Sequence, residues 1–193
     1  MSVVGRNFCF VHVYRTGGTS LTSVLKECGG KLVPPWHPPA WYVKEKIVEK
    51  WDDVFSFGFV RNPYSWMVSL YEYIKNTGHI HNAIVRKMSY LEFLHFAREK
   101  VLEQKYYTLT EALCDKNGVP LVNFVGRFEN LQRDACLILK KIGVHRENIP
   151  RLNSGRRKAG PGLYYRNPRA VDLILETFDR DFLVFGYDST PPV

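Results

Sequence analysis

The chain has 193 residues, 45% of them hydrophobic, which is enough for one domain with a buried core and too apolar for a disordered tail. A formal net charge of +8 at pH 7 and a pI near 9.3 favour an anionic partner: a nucleotide, a sulfated or phosphorylated substrate, nucleic acid or an acidic membrane. Cys9, Cys28, Cys114 and Cys136 form no C-x-x-C pair, which argues against a zinc site and for free thiols in a reducing compartment. Met1 to Asn7 lacks the apolar run of a signal peptide, and no stretch approaches the roughly 20 apolar residues of a membrane helix, so the expectation is a soluble, cytoplasmic protein.

Residues 8–14 are apolar, aromatic and β-branched, and predict a buried strand. Leu21, Val24, Leu25 and Cys28 then follow helical spacing, and Gly29-Gly30 supplies a stop. Between strand and helix lie Arg15, Thr16, Gly17, Gly18, Thr19 and Ser20. A strand feeding a glycine turn that opens a helix is an anion site, because the helix start offers N–H groups and a positive dipole end while glycine lets a phosphate approach the backbone. Pro34, Pro35, Pro38 and Pro39 forbid a regular helix or central strand over 33–42, leaving a stiff aromatic loop with His37 at its centre and Trp36, Trp41 and Tyr42 around it. Residues 44–51 predict a short charged helix.

A second buried strand is expected over 54–60, running into Arg61, with Asn62 as N-cap and Pro63 as first residue of a helix whose inner face is Met67, Leu70, Tyr71 and Ile74. Arg61 has no evident carboxylate nearby in sequence and stands at the wrong dipole end for a cation, which a bound anion explains better than a structural ion pair. Residues 78–87 form a polar loop in which His79 and His81 lack a supporting carboxylate cluster. Ser89 and Glu92 make a capping box for a helix reaching about residue 104, with Tyr90, Leu94, Ala97 and Val101 inward. A turn over 115–118, a third strand over 121–125, and a helix with Phe128, Leu131, Ala135, Ile138 and Ile142 inward come next. Residues 153–162 are basic and glycine-rich and read either as a solvated loop or as a flap over a polyanion, with Arg156 and Arg157 at its centre. Pro168 starts a last helix. Strands alternating with helices imply an α/β fold with a central parallel sheet flanked by helices in three layers, a single domain over 1–193, and a ligand beyond the C-terminal ends of the strands.

The turn is not a Walker loop: no glycine stands five before Gly17 or Gly18, no lysine follows either, and Arg61 occupies the place of a magnesium-binding Asp, so a metal-dependent NTPase is disfavoured. Residues 13–21 resemble the 5′-phosphosulfate loop of sulfotransferases, usually K-T-G-G-T-S, and residues 59–71 are similar to their 3′-phosphate motif, F-V-R-N-P-Y followed by S-L-Y. Residues 126–131 and 181–187 also fit. The family is that of carbohydrate-type sulfotransferases using 3′-phosphoadenosine-5′-phosphosulfate (PAPS), and the match runs in order through nearly the whole chain.

The resemblance implies that Arg15, Thr16, Gly17, Gly18, Thr19 and Ser20 bind the 5′-phosphosulfate, that Arg61 and Ser69 bind the 3′-phosphate, and that Arg156 and Arg157 add to the cofactor site. It implies metal-free in-line transfer to an acceptor hydroxyl, on a small molecule or glycan and with no nucleic-acid partner, with His37 in the region of the family's base. Glu45 or Glu49 is the alternative base, and His12, inside the first strand, reads as structural. Arg15 departs from the family's lysine. An arginine clamps a phosphosulfate through two parallel hydrogen bonds yet cannot donate a proton, which leaves open a working variant or a catalytically reduced protein that binds a nucleotide or sulfated ligand. A nucleic-acid-binding role for the +8 charge is weak, because the basic residues sit at turns and form no long basic helix.

Overall fold

Phe8 and Phe10 on one strand and Phe57 and Phe59 on another point to the same side of a sheet, because side chains alternate along a strand, and this aromatic layer is the centre of the core. The computed structural model of the chain describes residues 1–103, 107–150, 152 and 160–191. In chain order the elements are β1 (Ser2–Val4), β2 (Phe8–Val11), α1 (Gly18–Glu27), β3 (Lys31–Val33), α2 (Ala40–Lys46), β4 (Phe55–Val60), α3 (Pro63–Asn76), α4 (Asn82–Val85), α5 (Tyr90–Leu102), α6 (Leu109–Leu113), β5 (Phe124–Arg127), α7 (Leu131–Lys141) and α8 (Pro168–Phe185). Single 3₁₀ turns lie at Trp51–Asp53, Phe128–Asn130 and Pro161–Tyr165. Two compact units emerge, one of residues 1–61 and 109–155, the other of 62–108 and 156–193. No helix among the described residues is long and apolar enough to cross a membrane.

The first unit holds the whole sheet, ordered β3-β1-β2-β4-β5. β2, β4 and β5 run parallel, as the alternation of strands and helices requires, while β1 pairs antiparallel with both β2 and β3, so the complete sheet is mixed. Leu21, Val24 and Leu25 of α1 and Ala135, Ile138 and Leu139 of α7 pack on the aromatic layer. Gly58 faces the other side, where a Cβ would meet Leu113 of α6 at 2.5 Å, so helices cover both faces as the α/β reading expects. The end of α1 follows its glycines: the Gly30 N–H donates to the Leu25 carbonyl at 2.9 Å and Gly29 takes φ +83°.

Several boundaries differ from expectation, each for a physical reason. β1 and β3 were invisible because each is three residues long, and β3 is an edge strand with Leu32 exposed, so neither carries a readable alternation. β2 ends at Val11, leaving residues 12–14 off the ladder. The helix expected over 44–51 is α2, which starts at Ala40 directly after the last proline; Trp41 and Tyr42 therefore lie on a helix and not in the proline loop. The third strand lies at Phe124–Arg127 and not over 121–125, because Asn123 bonds Ser56 through its side chain (Ser56 N–H to Asn123 Oδ1, 2.8 Å) in place of a ladder bond. Helices α4 and α6 are too short to show periodicity.

The second unit is helical. Asn62 caps α3 by accepting the Tyr64 N–H at 3.0 Å with Pro63 at the first position, and Met67, Leu70, Tyr71 and Ile74 are buried as their spacing requires. Its centre is a group of tyrosines. Tyr165 donates to the Tyr64 carbonyl at 2.7 Å, its hydroxyl also meets that of Tyr90, and Tyr64 donates to the Ser189 carbonyl at 2.7 Å. Burial raises the Tyr90 and Tyr165 hydroxyls well above the usual phenol range, so they stay neutral donors. Helix α8 bends at Phe178 and ends at Gly186 in the left-handed region.

The Ser89–Glu92 capping box is complete: the Ser89 N–H donates to Glu92 Oε2 at 2.7 Å and the Glu92 N–H to Ser89 Oγ at 3.3 Å. Ser89→Ala is expected to cost about 1 kcal/mol, read as a lower urea midpoint at unchanged slope.

Candidate functional site

Every parallel strand of the first unit ends at a group that bears on one turn. β2 leads into residues 12–17, β4 ends on Arg61, and β5 ends on Phe128. The turn opens α1 at Gly17, which sits at φ +88°, a conformation glycine adopts without strain. Gly17 is pressed from outside: an added Cβ would lie 2.7 Å from Leu131 and 3.2 Å from Phe128. No side chain caps α1 and its first turn carries no acid among the described residues, so its N–H groups keep their attraction for an anion.

The predicted residues of this turn divide by role. The Thr16 side chain is fully buried and its hydroxyl donates to the Val13 carbonyl at 2.8 Å, so it closes the turn from within. Ser20, 4% exposed, accepts the Leu152 N–H at 3.0 Å on Oγ, which holds the chain just before residues 153–159 against α1. Thr19 is exposed and Gly18 is buried against the His12 ring. Arg15 takes φ +61°, a left-handed conformation that costs a non-glycine residue of order 1 kcal/mol.

Arg61 restrains that strained residue. Its guanidinium is 2% exposed, its Nη1 donates to the Arg15 carbonyl at 3.2 Å, and its Cζ lies 4.0 Å over the Phe128 ring. A flat cation stacked on an aromatic face and bonded to a carbonyl keeps a fixed orientation that a lysine could not hold. Phe128 and Leu131 were read from the sequence only as core residues of a helix; in place they buttress Arg61 and Gly17. Their position at the end of β5, the strand beside β4, was the available signal.

His37 joins the same turn. It takes φ +48°, and its Nδ1 donates to the His12 carbonyl at 2.7 Å. Its ring meets the His12 ring edge-on (4.6 Å, 80°), the Tyr14 ring at 4.8 Å and Trp36 at 5.9 Å. Because a carbonyl only accepts, Nδ1 carries the proton and Nε2 keeps its lone pair. Burial pushes the His37 pKa down to about 4, the nearby N-terminal ammonium adds to this, and the bond to His12 opposes it. Burial likewise takes His12 down to about 3, with the His37 and N-terminal charges adding. Both imidazoles are neutral at pH 7.

Glu45 and Glu49, the alternative bases, are exposed. Ser69 lies half-buried on α3 in the second unit. Arg156 and Arg157 lie outside the described residues. His79 and His81 sit with ring centroids 5.4 Å apart, the His81 N–H donating to His79 Nδ1, and no group of three or more metal-ligating side chains occurs among the described residues.

The model of the sulfotransferase family matches residues 6–188, taking in segments of both units. Over 117 residues the chain is 30% identical to an uncharacterised protein of Archaeoglobus fulgidus, an alignment covering 60% of this chain and 91% of that one. No solved structure matches the chain.

The depressed histidines link stability to pH. Above pH 6.5 folded and unfolded chains both hold them neutral; as pH falls, the unfolded chain binds protons that the folded chain refuses down to about pH 4, and stability is lost across that window. His37→Asn removes one such group. Between pH 6 and 4.5 its unfolding free energy is expected to fall less steeply than that of the parent protein, by up to about 1.4 kcal/mol per pH unit, in urea melts at each pH.

Proposed function

The chain belongs to the sulfotransferase family, and from that premise we propose that it moves the sulfuryl group of PAPS to an acceptor hydroxyl on a carbohydrate or glycolipid. The observation that carries this reading is the turn at the start of α1, held open for an anion and flanked by the two arginines and by a neutral histidine with a free lone pair. Both units would work as one sulfotransferase domain, since the matched span draws on each. A cytoplasmic location fits the same reading.

The donor set suits the cofactor. Gly17 takes the left-handed conformation that the turn needs, the α1 N–H groups and Arg15 supply positive charge for the 5′-phosphosulfate, and Arg61, with Ser69, is assigned to the 3′-phosphate. Thr19 and Ser20 offer hydroxyls, and Ser20 can still donate while it accepts from Leu152. Thr16 contributes by shaping the turn. Arg156 and Arg157, in the basic stretch read from sequence as a flap over a polyanion, are assigned to the cofactor. When bound, PAPS supplies the sulfuryl group, whose bond to the 5′-phosphate breaks as a bond to the acceptor oxygen forms.

His37 Nε2 takes the proton of the acceptor hydroxyl. The Nδ1 bond to His12 already sets the needed tautomer, and the resulting imidazolium is stabilised by the same carbonyl. A pKa near 4 is low for this task; the negative charge of a nearby phosphosulfate would raise it toward neutrality, so the base would gain strength only when the site is filled. Arg15 and the α1 N–H groups neutralise the charge left on the departing phosphate, which is the work a metal would do elsewhere. Arg15 cannot protonate that phosphate, so its help is purely electrostatic. A second reading rests on this one residue: a protein that binds the nucleotide and transfers slowly.

Calorimetry with 3′,5′-adenosine bisphosphate and with ATP tests the binding half. Tight binding of the bisphosphate and weak, magnesium-independent binding of ATP are expected, and the reverse order would overturn the reading. Incubation with sulfate-labelled PAPS and a panel of hydroxylated acceptors separates enzyme from binder. His37→Ala is expected to lower transfer by roughly 10²–10⁴-fold while bisphosphate affinity stays unchanged; undiminished transfer removes His37 as the base.

A further inference from the structure

The mechanism above uses the His12 carbonyl but not its ring, yet the ring touches both His37 and Gly18 of the anion turn. Its carbonyl receives the His37 Nδ1–H at 2.7 Å, and its ring lies edge-on to the His37 ring with centroids 4.6 Å apart. On the other side the same ring abuts Gly18, so closely that any Cβ there would overlap it. Behind, the ring stacks on Phe10 of the aromatic core at 5.3 Å, and Nδ1 donates to the Met1 carbonyl at 3.3 Å. Since β2 stops at Val11, the His12 carbonyl is off the ladder and available to His37.

We propose that His12 is a positioning residue: its ring is the spacer that sets the distance and angle between His37 and the anion turn at Gly18. This rests on the sulfotransferase reading for its catalytic consequence but on the geometry alone for its structural one. Three facts require a spacer. His37 is held at φ +48°, a conformation that a non-glycine residue leaves unless its surroundings over-determine it. The glycine at position 18 is explained by the ring that fills its Cβ position, beyond any need of a ligand for backbone access. The ring is anchored to the core through Phe10, so it transmits the position of the sheet to both neighbours. His12 is neutral and encased, facing His37, Phe10, Gly18 and the Met1 carbonyl; it moves no proton itself.

The test uses His12→Asn, which can keep a donor near Nδ1 but removes the ring, and His12→Leu, which keeps apolar bulk but no flat edge; either folded variant suffices. The first readout is independent of activity: the His37 imidazole is titrated by NMR, its signal assigned by its absence in His37→Ala. In the parent protein it is expected to titrate at about 4, pushed down by burial; without the ring it is expected to become exposed and to titrate nearer the ordinary 6.5. The second readout is kinetic. kcat is expected to fall about 10- to 100-fold, the range in which misplacing a group costs rate, with the KM for PAPS and the affinity for adenosine bisphosphate changed less than threefold. An unmoved His37 titration overturns the proposal, as does a bisphosphate affinity that falls as far as kcat, which would mark a collapsed turn. Absence of transfer by the parent protein would remove the sulfotransferase reading and leave the titration to decide the positioning by itself.

Discussion

A guanidinium buried at the end of β4 is the constraint on which the site depends. Arg61 is 2% exposed, donates to the Arg15 carbonyl and stacks on Phe128. Those partners come from the ends of β2 and β5, the strands on either side of β4. Only a parallel arrangement of the three brings their C-terminal ends to one edge, so the register of the sheet (Val60 opposite Arg127, Val11 opposite Gly58) is also the geometry of the site. An arginine is suited to this position because its flat, fixed fork satisfies a carbonyl and an aromatic face together.

Charge and burial act against each other here. A cation beside a helix N-terminus is unfavourable, and burying it adds a desolvation cost. The carbonyl bond and the π contact offset part of that cost. The histidines sit on the other side of the same balance. Desolvation keeps His12 and His37 neutral, so neither ring adds positive charge to the turn at pH 7. Burial is what keeps the two imidazoles neutral beside the guanidinium.

The left-handed residues show where stability is given up for this arrangement. Among the described residues Arg15 and His37 are the non-glycine positions with positive φ, and each is restrained by a hydrogen bond between a backbone carbonyl and a site side chain. For Arg15 the carbonyl is its own and Arg61 donates to it; for His37 the carbonyl belongs to His12 and the imidazole donates. Strained backbone held by surrounding contacts is a mark of positions with work to do beyond folding. The second unit contrasts with this: its buried tyrosine hydroxyls pair with carbonyls and with one another at the centre of a helical unit.

The sequence by itself determined the elements whose signal is local. The helical spacing of Leu21, Val24 and Leu25, the Asn62-Pro63 start of α3, the Ser89–Glu92 capping box and the glycine turn between β2 and α1 depend on neighbours a few residues away, and each stands where its pattern placed it. The family motifs are local in the same sense, and they carried the membership that the whole-chain match bears out. What only the tertiary structure decided is what contacts between distant segments create. β1 exists because β2 offers it a ladder, the edge strand β3 because β1 does, and β5 begins at Phe124 because Asn123 is held by Ser56. The bond from Arg61 to Arg15 and the place of His12 against His37 join residues 46 and 25 positions apart through hydrogen bonds and ring contacts. No spacing rule encodes those contacts, because they arise only once the sheet has aligned its strand ends and water has been excluded between them.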